Sequence, residues 1–383
     1  MTDDERPKKK WRRLIRIAGS LISLVVLSYF AISLISGKGL GLSWLSDRFS
    51  KRDSVEMADE YYFDVGRDRV FANLGDSLAA VGSLGIQVID AGGGETLRDP
   101  FRMSNPAVTA LNGRAIAFDI GGTAVRVFNK SDIVASVETN SAVISSSINR
   151  NGWFSVCAQE SGGFKGSVTV YNNTGSEVYK IKMASGYILS AELSPDNKSI
   201  AVLDMTEGGS RITFYNLSSE TAENSFSLPD GLIIDIRYLS GGDLLAVSTE
   251  SLIIIDKHGA GKQLYVFSGK QLNGYVIYSD FIALHLLDYG VGYQGRVVTL
   301  SESGNLLGEL ITDREIISMS AGGGYLTILR SDGLRSYNSR LEEFPLTGKS
   351  GSTIGATSVL ALDNGAVIVA GDHSAVMFRL VEV

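Results

Sequence analysis

The chain has 383 residues, 44% of them hydrophobic, with one cysteine, three histidines and a net charge of −7. This is enough apolar material for one large repeat domain or two ordinary ones, and 43 glycines against 6 prolines suit short strands joined by tight turns. A single cysteine excludes an intramolecular disulfide and any cysteine-based zinc or iron–sulfur cage, and three histidines leave little for a histidine-based metal site.

Charge is spread unevenly. Residues 1–16 carry Arg6, Lys8, Lys9, Lys10, Arg12, Arg13 and Arg16 against Asp3, Asp4 and Glu5, so the negative charge belongs to the rest of the chain. An acidic main body argues against a nucleic-acid partner, whose phosphates reward a basic face. Residues 17–35 (IAGSLISLVVLSYFAISLI) hold no charge. As a helix they would cover about 28 Å, close to the thickness of a bilayer's hydrocarbon core. With the basic run on one side, the positive-inside rule predicts a cytoplasmic tail over 1–16, a transmembrane helix over 17–35 and the remainder outside. Lys8, Lys9, Lys10, Arg12, Arg13 and Arg16 are then the expected membrane-anchor residues, each worth ~1 kcal/mol against anionic lipid headgroups. A cleaved signal peptide competes, with Ala31-Ile32-Ser33 as its small-residue site. The uncharged run is longer than a usual signal core and continues past that site, which favours an uncleaved anchor. Residues 36–57 mix small and charged side chains and read as a juxtamembrane linker; their Gly-Lys-Gly-Leu-Gly lacks the preceding strand and the Lys-Ser/Thr ending of a phosphate loop.

From residue 58 onward helical periodicity gives way to short apolar runs punctuated by Gly, Asn, Asp and Ser. Strand endings align at Ile89-Asp90, Phe128-Asn129, Tyr171-Asn172, Tyr215-Asn216, Ile255-Asp256, Leu300-Ser301, Tyr337-Asn338 and Phe378-Arg379, spaced 37–45 residues apart. Each is preceded by a second apolar run, such as Ser-Ile-Ala-Val-Leu-Asp from Ser199 or Ala-Val-Ile-Val-Ala from Ala366. This period, with four short strands per unit, predicts an all-β, eight-bladed β-propeller over 58–383; seven blades would require discarding a good match. The last unit stops after its third strand. The stretch Glu60-Tyr61-Tyr62-Phe63-Asp64-Val65 has no partners in its own unit and is expected to pair with the C-terminal strand, completing blade eight.

Ser194-Pro195-Asp196-Asn197-Lys198-Ser199-Ile200-Ala201-Val202 resembles the repeat phrase of WD40- and YVTN-type propellers, although the Trp-Asp dipeptide occurs nowhere. Asn173-Thr174-Gly175 followed by Tyr179 is similar to the turn of quinoprotein-like repeats, with the family's docking Trp missing. As a whole, the basic tail, single span and Gly/Ser-rich propeller resemble an uncharacterised family of single-pass, membrane-anchored proteins of Gram-positive, Clostridia-type bacteria. That resemblance implies fold and topology and brings no activity.

Candidate chemistry is sparse. Asp119-Ile120-Gly121-Gly122-Thr123 resembles the phosphate hairpin of sugar kinases and actin-like ATPases, but it falls at the turn shared by all units and reads as a hairpin. Cys157, between apolar neighbours, reads as a buried structural thiol. His258, His285 and His373 fall in three different blades. Asp204, Asp235, Asp256 and Asp288 lie near strand ends, where turn-capping is common. No catalytic, metal or cofactor residues are assigned. The Leu193–Asn216 stretch is the clearest copy of the repeat, so its polar residues are expected to form turns. Recognition is expected where units differ: in the loop 287–295, with Asp288, Tyr289, Tyr293 and Gln294, or in 158–166. The expected function is a non-enzymatic binding or scaffold module outside the membrane, with an envelope protein or cell-wall polymer as partner. A propeller enzyme, quinoprotein-like or carbohydrate-active, and a sensor relaying through a membrane partner are the alternatives.

Overall fold

The computed structural model describes residues 60–219, 221–290, 292–348, 353 and 355–380. The expected tail, transmembrane helix and linker fall on residues 1–59, outside the described residues. Among the described residues no helix is long and apolar enough to cross a membrane.

Eight antiparallel sheets follow one another along the chain as the blades of a propeller. Blade 4 shows the plan: an innermost strand Tyr187–Leu193, then Ser199–Thr206, Gly209–Asn216 and an outer strand Ala222–Pro229. The innermost strands stand side by side around the axis. Second strands such as Leu78–Gly82, Phe154–Ala158, Leu244–Ser248 and Ala366–Ala370 are buried at every position. Each is covered by a neighbouring blade on both faces, which is why they read as unbroken apolar runs instead of alternating ones. The core is accordingly divided into inter-blade clusters. One of them joins Leu78, Ala80 and Ile89 of blade 1 to Ala366, Ile368 and Met377 of blade 8. Outer strands such as Ala222–Pro229 alternate, because one of their two faces meets water.

The polar residue ending each third strand has a local task. The Oδ1 atoms of Asp90, Asn172, Asp256 and Asn338 each accept two backbone N–H groups from the turn that follows. Asp and Asn hold turns in this way with their own side chains, so the recurring apolar–Asx pair marks a strand end. These turns, and those between first and second strands, form what we call the lower face. The turns between second and third strands, with the blade-to-blade connections, form the upper face.

Serine, threonine and asparagine side chains stitch neighbouring blades together. The Ser147 hydroxyl donates to the Ala191 carbonyl at 2.6 Å, Asn73 donates to the Ala361 carbonyl at 3.1 Å, and the Ser210 hydroxyl accepts the Ile233 N–H at 2.9 Å.

Blade 8 closes the ring. Its strands Ser358–Ala361, Ala366–Ala370 and Ser374–Leu380 come from the C-terminal stretch. Glu60–Tyr62 pairs with Ser374–Val376 as expected from the sequence, although the strand is three residues long and continues only as a connection in which Phe63 and Val65 are buried. The remaining half of that outer edge is taken by Leu346–Gly348, opposite Phe378–Leu380, which the sequence did not reveal. The cause is Pro345. The outer strand of blade 7 runs only from Glu343 to Phe344 before Pro345, which has no N–H to offer the ladder, and the chain then crosses to blade 8.

Candidate functional site

The polar groups nearest the axis gather in blades 4 to 6. Glu192 is the next-to-last residue of its innermost strand, and Arg237 holds the same place in Ile233–Tyr238 of blade 5. A bulge between Ile233 and Asp235 shifts the register, so that Asp235 turns toward Tyr275 of blade 6 while Ile236 and Tyr238 pack toward blade 4. The Tyr275 hydroxyl of blade 6 donates to Asp235 Oδ2 at 3.1 Å, and the Ile236 N–H donates to Oδ1 at 2.9 Å. Arg237 lies 3.9 Å from Asp235, and its Nε is buried with no hydrogen-bond partner among the described residues.

Glu192 is buried and carries no hydrogen bond from its carboxyl group among the described residues. Burial pushes its pKa up to about 7, against the opposing pull of Arg237 and with a further push from Asp235. The same Glu192 charge is the main cause that raises Arg237. Burial also pushes the Tyr238 hydroxyl up to about 12. Below this cluster lies a cavity of about 60 Å³ lined by Asn149, Arg150, Glu192, Arg237 and Ser240 among others.

Two larger hollows are blander. One of about 680 Å³ runs between blades 4 and 5 on the lower face, past Asp196, Lys198, Tyr238, Asp243, Lys257 and His258. Another, of about 380 Å³, lies between the innermost strands of blades 1, 2, 7 and 8, with Phe71, Asn73, Val108, Met319 and Leu360 in its wall.

The upper face is distinguished by what it exposes. Leu84, Ile120, Phe164, Tyr187, Tyr289 and Tyr293 are exposed there, and Ile234 and Ile317, the bulged residues of two innermost strands, join them. Among the described residues, Val178 and Leu306 are the large exposed apolar side chains that lie toward the lower side. The loop after Leu287 is closed by the Asp288 N–H donating to the Gln294 carbonyl at 2.8 Å and by an ion pair between Lys270 and Asp288. Asp288 and Gln294 therefore hold the loop's base, and Tyr289 and Tyr293, 84% and 51% exposed, are displayed by it. In the other loop singled out from the sequence, Glu160 meets Lys180 and Lys182 at 3.8 and 3.6 Å, while Lys182 and Lys165 lie over the rings of Phe164 and Tyr187.

A sequence signature described as "Family of unknown function (DUF5711)" matches residues 49–343, more than half of the chain. The chain belongs to that family. No curated protein matches it. Among solved structures, the fold of this DUF5711 member is similar to the C-terminal WD40 domain of Sif2, with a TM-score of 0.55 and 13% identity over 85% of this chain and 96% of that one. It is also similar to BamB from Moraxella catarrhalis, with a TM-score of 0.52 and 14% identity over 84% and 99%. A eukaryotic initiation factor gives a TM-score of 0.54 and 10% identity over 82% and 89%. At these identities the likeness is one of fold.

The other residues weighed in the sequence fall into place individually. Asp119 ends a second strand, and its Oδ1 accepts the N–H groups of Ser104 and Asn105, so the Asp-Ile-Gly-Gly-Thr stretch is a hairpin turn with Gly121 at a φ of +91°. Asp204 is fully buried against Arg211, and Asp256 caps its turn. His285 lies in a second strand beside Asn273, its pKa pushed down to about 4 by burial, while His258 and His373 lie in turns. Among the described residues no group of His, Cys, Asp and Glu is arranged to hold a metal ion. The basic anchor residues from Lys8 to Arg16 lie outside the described residues.

Cys157 is buried in blade 3, and burial pushes its thiol up to about 12. In the native protein it is expected to resist a maleimide at pH 8 for hours and to label completely once the chain is denatured. Rapid native labelling would show that blade 3 opens.

Sequence reasoning missed Glu192 and Arg237. The available signal was positional. Both occupy the place one before the end of an innermost strand, where Ser147 and Val276 stand in blades 3 and 6.

Proposed function

We propose that this protein is a membrane-tethered, non-enzymatic binding module of the cell envelope, and that its upper face docks a partner protein. One observation carries the reading: exposed large apolar and aromatic side chains collect on one face of a rigid ring. Exposed apolar side chains biased to one face suit an interaction surface, and Tyr is prominent among the residues that dominate binding energy. A propeller presents loops on a scaffold that does not deform with them, which suits recognition by surface. The likeness to a WD40 domain and to BamB supports the scaffold. The uncharged run at 17–35 supports the tether.

The test is site-specific photo-crosslinking in intact cells, with the probe at Phe164 or Tyr289 on the upper face and at Val178 or Leu306 toward the lower. The expected result is one discrete protein adduct shared by both upper positions and absent from the lower ones. Adducts from the lower positions alone, or a protease-resistant polymer adduct, would overturn it. Externally added protease should degrade the propeller in cells stripped of their wall; full protection would sink the tethering arm.

A further inference from the structure

We propose that the lower mouth of the central channel, where Arg150 and Arg237 open onto one cavity, binds a small oxyanion: a carboxylate or a sulfate- or phosphate-type group.

Arg237 has a buried donor, Nε, that no described residue satisfies. Folded proteins rarely leave a guanidinium's N–H groups unused near the interior. Arg237 has one ion pair, at 3.9 Å. The Arg150 side chain is exposed and makes no hydrogen bond or ion pair among the described residues, so it is free to turn toward a bound anion. Both line the cavity of about 60 Å³, together with Asn149 and Ser240. A water needs roughly 10–15 Å³ by this measure, so the space exceeds one water and suits a group of carboxylate or sulfate size. Planar guanidinium forks are the side chains best shaped to grip such groups.

The negative charges nearby are accounted for separately. Asp235 spends one oxygen on the Tyr275 hydroxyl and the other on a backbone N–H. Asp196, in the adjoining turn, is held by the Ser194 hydroxyl and the Lys198 N–H. Glu192 lines the cavity, and its carboxyl group has no hydrogen-bond partner among the described residues. The groups around it are Arg237, Asp235 and Tyr238 of blade 5 and the Cys157 thiol of blade 3. Because its pKa lies at about 7, Glu192 is largely neutral and able to donate a hydrogen bond at pH 6, and largely anionic and repulsive at pH 8. Oxyanion affinity should therefore fall with rising pH, by about tenfold between pH 6 and pH 8 if the neutral form binds.

The experiment is calorimetric titration of the full chain in detergent with sodium sulfate and, separately, sodium acetate, at pH 6 and pH 8 and constant ionic strength. Neither probe changes charge over this range. The expected result is saturable one-to-one binding of at least one probe, tighter at pH 6. The preferred probe distinguishes a carboxylate-bearing ligand from a sulfate- or phosphate-bearing one. Arg150→Ala and Arg237→Lys should each weaken binding at least fivefold, and Glu192→Gln should keep binding while removing the pH dependence. Arg150 is exposed, so its replacement leaves folding intact even if a change at Arg237 does not. Three results would each overturn the proposal: no saturable binding of either probe at pH 6, an effect reproduced by chloride at equal ionic strength, or unchanged affinity in Arg150→Ala.

Discussion

A chain begun at Gly66 is expected to lose its cooperative unfolding transition, whereas one begun at Glu60 should keep it. The six residues between these starting points contain Tyr61, Phe63 and Val65, all buried between blades 8 and 1. Burying an aromatic or branched side chain is worth about 1.5–3 kcal/mol. Losing three therefore removes several kcal/mol from a total that is commonly 5–15 kcal/mol. The deletion also uncovers the ladder groups of Ser374–Val376. Thermal unfolding followed by circular dichroism reads the difference directly. If the two chains melted within a few degrees of each other, Glu60–Tyr62 would not be the clasp that the register implies.

Arg211→Met is expected to destabilise the fold by about 3–5 kcal/mol, the usual cost of stranding a buried charge. Asp204 is fully buried, and Arg211 grips both its oxygens, Nε at 3.2 Å and Nη2 at 2.7 Å. The methionine leaves that carboxylate without a counter-charge. Replacing both partners, as in Asp204→Leu with Arg211→Met, should recover most of the loss, because an apolar pair of similar volume avoids desolvating an ion. Chemical denaturation of the two variants and the parent separates these outcomes. Equal stability of the single variant and the parent would mean that water reaches Asp204. The site has a second constraint. A Cβ on Gly186 would come within 1.9 Å of Asp204 Oδ2, and that glycine has a φ of +77°, so Gly186→Ala should fail for two independent reasons.

The second and third strands of the blades were legible in the sequence because burial on both faces leaves a continuous apolar signature, and because an Asx residue ends most of the third strands. That is why Leu193–Asn216 reads so clearly as a repeat. Its polar residues do form the turn: the Ser194 hydroxyl accepts the Ser199 N–H, and Asn197 adopts a φ of +59°. The same turn nonetheless walls the hollow of about 680 Å³ between blades 4 and 5. What composition concealed was on the innermost strands. A serine that bridges two blades, as Ser147 does, cannot be told in one dimension from a serine that meets water. A lone Glu or Arg in a short strand likewise looks solvated until the ring brings Glu192 and Arg237 into one field. The exposed residues of the 287–295 loop were legible as a departure from the repeat, but their alignment with Phe164 and Tyr187 on one face follows only from the order of the strands.

The borrowed outer edge of blade 8 bears on how the molecule is made. Tyr61 meets Met377 across a separation of 316 residues, so the first described strand waits for the last one before it can pair. Contacts of that range are slow to form, because the entropy of closing the loop must be met before they reward it. During that wait the seven earlier blades can stack in order as they emerge, each covering the one before, while both ends of the row remain open. The short Glu60–Tyr62 segment, charged at its start, offers passing chains little ladder to join. The step that turns the row into a ring thus falls to the three-residue pieces Glu60–Tyr62 and Leu346–Gly348, which dock against the final strand once it has been synthesised.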